Sequence, residues 1–132
     1  MTDDYGKLVL RVSVGVLILL HGISKLQNGV DGIVGMLDGH GLPAFLAYGV
    51  YLGEVIGPVL VILGVFTRIG ALLIAGNMLV AIALAHMQEL FSLGQMGGWA
   101  LELQGMFLFG SIAVALLGAG RLSVGGTGGR YN

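Results

Sequence analysis

Cysteine is absent from this 132-residue chain, proline occurs twice, tryptophan once, and charged residues make up only 10% of it. The missing cysteine removes disulfides, thiolate metal sites and cysteine nucleophiles together. Six Lys and Arg stand against seven Asp and Glu, a formal net charge of -1, so there is no basic field that would attract nucleic acid. Charge this sparse also denies the chain the solvated surface of a soluble domain. What fills it instead is apolar, with 56% hydrophobic residues and a mean hydropathy of +0.95. These values describe an integral membrane protein. The 25 glycines follow no three-residue period and sit among Leu, Ile and Val, where glycine lets membrane helices approach closely.

Four segments are long enough to cross a hydrocarbon core of about 30 Å: residues 8–26, 44–66, 68–89 and 99–118. The breaks between them carry turn chemistry, "QNGVDG", "GHGLP", "FTR" and "SLGQMGG". Pro43 suits a helix start, and Thr67 is placed to cap the third helix. The apolar runs lack strand alternation and four strands cannot close a barrel, so the spans are expected to be helices. Lys7 and Arg11 ahead of an apolar run give residues 1–26 the outline of a signal peptide. No small-x-small cleavage site follows, so the segment is expected to be retained. The expectation is an all-α integral membrane four-helix bundle formed by residues 1–122. Apolar residues at 30, 33, 34 and 37 predict a short interfacial helix after the first span, and residues 123–132 a flexible tail.

Lys7, Arg11, Arg68, Arg121 and Arg130 fall on the side that holds both termini, and only Lys25 on the other. The positive-inside rule therefore places both termini in the cytoplasm.

Ionisable groups inside such a helix cost roughly 2.5–3.5 kcal/mol near its centre, so their positions carry information. On a 100° wheel Arg11, His21 and Lys25 share one face of the first helix with Gly15 and Gly22, a face expected to look into the bundle. Arg11 and Lys25 lie near helix ends, where the ordinary expectation is that they snorkel to the interface. Glu54 lies deeper, beside Gly49, Gly53 and Gly57 at four-residue spacing. A carboxyl at that depth is a functional-site candidate. Each helix thus supplies one titratable side chain, His21, Glu54, His86 and Glu102, and these are expected to converge in the outer half, with Lys25 at the mouth. Asn77, Gln104 and Ser111 fall on other faces and suggest a second polar surface for a partner subunit or a homo-oligomer.

"LLHGISKL", "GLPAFLAYGVYLGEVIGPVLVILGVFTRIGALL" and "GGWALELQGMFLFG", followed by "LLGAGRLS", run in order from about residue 8 to 123. Together they resemble the DoxX family of small bacterial and archaeal membrane proteins. The family pattern maps onto His21, Gly22, Lys25, Gly41, Leu42, Pro43, Glu54, Gly57, Thr67, Arg68, Glu102, Gly120 and Arg121. Pro58 and the "SVGG" ending depart from it, and Pro58 is expected to kink the second helix below Glu54 and free a backbone carbonyl. The resemblance implies a multi-pass protein of the cytoplasmic (inner) membrane. It also implies relatives in quinone-dependent sulfur oxidation, as a subunit of a thiosulfate:quinone oxidoreductase, and in other membrane redox and oxidative-stress complexes.

Three functional readings follow. The first is a redox-associated membrane subunit without a complete active site of its own. It binds a quinone or similar lipophilic ligand, with His21, Lys25, Glu54, His86 and Glu102 as ligand-binding or proton-relay residues and a membrane or soluble redox subunit as partner. The second places a haem or metal between His21 and His86. The third is a non-enzymatic membrane anchor, assembly partner or small-solute conduit. No nucleotide motif or nucleophile constellation appears in the sequence to favour a self-contained enzyme.

Overall fold

A computed structural model describes residues 2–86, 90–93 and 97–132, and the described residues are helical with no strand. Helix α1 (Thr2–Asn28) starts well before the predicted span and stops at Gly29, whose φ of +83° only glycine adopts at low cost. The predicted interfacial helix is α2 (Asp31–Gly39). Helix α3 (Ala44–Leu63) opens after Pro43 as a 3-10 turn, passes through a π segment at Leu52–Ile56 and continues as α-helix from Gly57. Helix α4 runs from Thr67 to Ala81 and ends in a second π segment, Ile82–His86. Helix α5 spans Glu102–Leu117.

By length and composition α1, α3 and α4 can each cross a membrane, while α5 has 16 residues and reaches only about 24 Å. The four pack in a ring in which α1 and α4 each touch both α3 and α5. Ile18, Val61, Ala71, Ile74 and Val114 form the centre, while Leu17, Leu20, Leu72, Leu79, Phe109 and Leu116 point outward. An apolar outer surface over apolar helices is the arrangement that lipid selects. Helix α2 lies on the start of α3, burying Val30 and Leu37 against Ala47.

The predicted disturbance at Pro58 takes the form of the π segment. Residue 58 would normally donate to the Glu54 carbonyl, and proline has no N–H. The helix widens there instead, Gly57 donating to Leu52 O. The Glu54 carbonyl presses against Gly22 of α1, where a Cβ would overlap it. Gly22 therefore lets α1 and α3 meet at the level of Glu54. On the other side of α3, Gly57 and Gly70 of α4 pack so closely that a Cβ on either would lie 2.9 or 2.8 Å from the other's carbonyl oxygen.

Three sequence expectations are corrected at the end holding both termini. Arg11 does not snorkel: it is 1% exposed and donates to Val61 O (3.1 Å), Ile62 O (3.3 Å) and Leu122 O (2.6 Å). Carbonyls at the close of α3 lack helical donors, and a buried guanidinium supplies them. Thr67 does not cap its own helix. Asn132 Oδ1 accepts from both Thr67 N (3.1 Å) and Thr67 Oγ1 (2.8 Å), and Tyr131 O accepts from Arg68 N (2.9 Å). The tail expected to be flexible is thus docked, and Val124 and Gly125 also donate to Leu63 O and Gly64 O. Its value to the fold lies in backbone hydrogen bonding, which an apolarity count does not register.

Candidate functional site

One turn beyond His21, α1 carries Lys25, and the π segment of α3 carries Glu54. The structure joins these two. Lys25 Nζ donates to Glu54 Oε1 (2.7 Å) and Oε2 (2.8 Å), with side-chain exposures of 28% and 5%. The expectation that Lys25 rises to the interface is therefore corrected. A carboxylate held in low dielectric at the middle of a helix binds the cation within reach more strongly than water at the boundary attracts it. The wider turn of the π segment sets Glu54 toward α1, and Tyr51 donates through its hydroxyl to Lys25 O (3.2 Å).

Lys25 and Glu54 form part of the wall of a cavity of about 800 Å³ in the half of the bundle away from the termini. Its remaining wall is mostly aliphatic, with Phe107 of α5 as the aromatic member. His21 lines it too, exposed, with its ring edge-on to Phe107 at 5.7 Å and 78°.

The other polar residues sort differently from the wheel. Asn77 and Gln104, assigned by sequence to a second polar surface, both line this cavity, and Asn77 has no hydrogen-bond partner among the described residues. Ser111 is fully buried and donates to Leu108 O (2.9 Å). Glu102 is the group that does not converge. It is exposed in the first turn of α5, with its carboxylate over Gly98, and is absent from the cavity wall. The face of α5 that looks inward carries Gln104, Phe107 and Ser111 at helical spacing, which leaves Glu102 outside. His86 ends α4, but its side chain lies outside the described residues, as does Glu89. Among the described residues no three His, Asp or Glu side chains gather to hold a metal ion.

The chemistry available is that of a small set of polar groups on an oily chamber. Lys25 donates, Glu54 accepts, Asn77 does either, and Phe107 offers a flat face. An ion pair satisfies its two charges without cancelling their local fields, so a polar molecule entering beside it meets oriented donors and acceptors.

A family model described as DoxX matches residues 6–87. A relative from Bacillus subtilis (strain 168), named "Putative oxidoreductase CatD", is 37% identical over 116 residues, covering 88% of this chain and 81% of that protein. No solved structure matches.

Proposed function

Since this chain belongs to the DoxX family of membrane proteins, we propose that it is the membrane subunit of a redox system and holds a quinone, or a lipophilic molecule like it, in the cavity beside Lys25 and Glu54. The observation that carries this reading is the ion pair itself. Lys25 and Glu54 are fixed at 2.7 Å on the wall of an apolar chamber of about 800 Å³. That volume lies within the roughly 300–1,000 Å³ of small-molecule sites. Both residues line the chamber, and the Lys25 side chain, 28% exposed against 5% for Glu54, is the more accessible member of the pair.

A quinone fits this donor set. Its carbonyl oxygens need hydrogen-bond donors, which Lys25 and Asn77 provide, and its ring needs an apolar wall, which Phe107 and the aliphatic lining provide. Bound there, it would supply two-electron redox chemistry, and the residues of this chain would orient it and hold protons at Lys25 Nζ and Glu54. A partner subunit supplies the electrons, and the complex lies in the cytoplasmic membrane with both termini inside, where five of the six Lys and Arg gather.

The test is titration of the purified protein in lipid nanodiscs with a decyl-tailed benzoquinone. Glu54→Gln is expected to weaken binding at least about tenfold, the equivalent of one charged hydrogen bond. Binding that is unchanged in Glu54→Gln and in Lys25→Met removes the pair from the site and returns the chain to the anchor or assembly reading.

A further inference from the structure

The seam between α3 and α4 changes character along its length. Toward the termini it is shut, by the Gly57 and Gly70 contact and, one turn on, at Gly53, where a Cβ would overlap the Asn77 side chain and lie 3.0 Å from Leu73 O. Gly49 lies one turn beyond Gly53, and Gly76 stands beside Asn77 at the level of that contact, on an exposed face of α4; both line the cavity, and a Cβ added to either would meet no side chain or neighbouring helix within 4 Å. Leu52, Leu72 and Val80 line the same cavity and are 48%, 61% and 56% exposed. The cavity therefore reaches the outer surface between α3 and α4.

The depth of this opening decides what it faces. Gly76 lies nine residues from Thr67, roughly 14 Å along a helix that rises about 1.5 Å per residue. That is close to half the hydrocarbon thickness, so the opening meets lipid tails rather than water. On the side toward the head groups, Ile33, Met36 and Leu37 of α2 lay an apolar roof over the chamber.

We infer that the cavity is loaded sideways from the bilayer through a window between α3 and α4, with Gly49 and Gly76 as its sills. Its ligand is accordingly a tailed amphiphile whose polar head reaches Lys25 and Glu54 while its hydrocarbon tail lies in the window. The inference rests on the ligand-binding reading of the cavity and narrows it to molecules resident in the membrane, as against small water-soluble aromatics. Continuity of the window with the chamber, and the ion pair at its inner end, set the head and tail of the occupant apart.

Leucine at either sill fills the window without touching the core, since the space beyond each Cβ is open. In nanodiscs, Gly49→Leu and Gly76→Leu are expected to weaken the decyl-tailed benzoquinone about tenfold, the equivalent of moderate overpacking. Benzoquinone without a tail is expected to change less than about twofold, below the cost of one lost contact. Equal loss for both probes, or loss for neither, overturns the window.

A second measurement does not depend on quinones. Phe107→Trp in a Trp99→Phe background puts one tryptophan on the inner wall, and acyl chains brominated at mid-chain should quench it. Gly76→Leu should relieve that quenching by about half if one leucine closes most of the gap. Absence of quenching, or quenching indifferent to Gly76→Leu, overturns the window. Quenching that Gly76→Leu relieves, in a protein that binds neither benzoquinone, upholds the window and overturns only the quinone.

Discussion

At the end of the bundle that holds both termini, Arg11 donates to carbonyls at the close of α3 (3.1 and 3.3 Å) and to Leu122 O beyond α5 (2.6 Å), and Arg68 to carbonyls at the close of α5 (3.0 and 3.1 Å). At the opposite end Lys25 and Glu54 turn to each other on a cavity wall. Both ends bury charge, but the first uses it to complete main-chain hydrogen bonding, which every membrane helix must achieve somewhere. Those guanidiniums are turned to the fold, although Arg11 Nε stays buried without a hydrogen-bond partner among the described residues. The second end completes its charges side chain to side chain, in a place where a third molecule can join them. Charge consumed by backbone is structural, whereas charge paired beside open volume is available for recognition.

Lys25→Met should break this comparison with the largest effect. It leaves Glu54 as an unpaired carboxylate with a side chain 5% exposed, a loss of roughly 3–5 kcal/mol. Glu54→Gln should cost clearly less, because Lys25 is 28% exposed and its long stem can carry the ammonium toward the boundary. Combining Lys25→Met with Glu54→Leu replaces the pair by apolar groups and should return stability close to the starting value while quinone binding stays lost. Reversible unfolding in mixed micelles, followed by far-ultraviolet circular dichroism, measures all three. A double variant no more stable than Lys25→Met alone would show that the charges do not act as a pair.

Arg11→Met sharpens the contrast from the other end. Val61, Ile62 and Leu122 lose a shared charged donor, and unfolding should become easier by roughly 1.5–3 kcal/mol. Arg11→Lys should recover only part of this, since an ammonium cannot spread its donors as a planar guanidinium does. Quinone affinity should not move in either variant. A change in affinity comparable to that of Glu54→Gln would mean that the two ends are coupled.

The elements themselves were readable from the chain because apolar length and turn chemistry act locally: a helix lies within each of the four apolar segments, three of them long enough to span, α2 follows the first, and the disturbance before Pro58 falls where proline requires it. Which residues meet was less readable, for two physical reasons. Whether Lys25 snorkels depends on what stands opposite, and Glu54, 29 residues away, enters only through the rotation of α3 against α1. The wheel also assumes a uniform 100° per residue, while the segments Leu52–Ile56 and Ile82–His86 take more residues per turn. Angles carried across Ile82–His86 therefore over-rotate, which undercuts the placement of Asn77 opposite His86. On α5 the titratable residue was taken to mark the inner face. A carboxylate in a helix's first turn is well served by the exposed N-terminus, so Gln104 and Phe107 were the better markers. The docking of Tyr131 and Asn132 left no apolar signature at all.

That docking supports the smallest prediction. Phe66 precedes α4 in a left-handed conformation, φ 46°, and provides no side-chain cap, so the first amides of the helix depend on residues from the far end of the chain. Asn132→Ala removes the acceptor for Thr67 N and Thr67 Oγ1 and should cost about 1 kcal/mol, the usual value of a helix cap. Asn132→Asp keeps the acceptor and places negative charge at a helix N-terminus, worth about 0.3–1 kcal/mol, but forfeits the Nδ2 donation to Gly126 O at 2.6 Å. The aspartate variant should therefore fall between the wild type and the alanine variant. Hydrogen exchange at the Thr67 amide reads the effect where it arises, with protection lost in Asn132→Ala and largely kept in Asn132→Asp. If exchange there is the same in all three proteins, the cap is not what holds the tail, and the closed end of the bundle owes its order to the arginines alone.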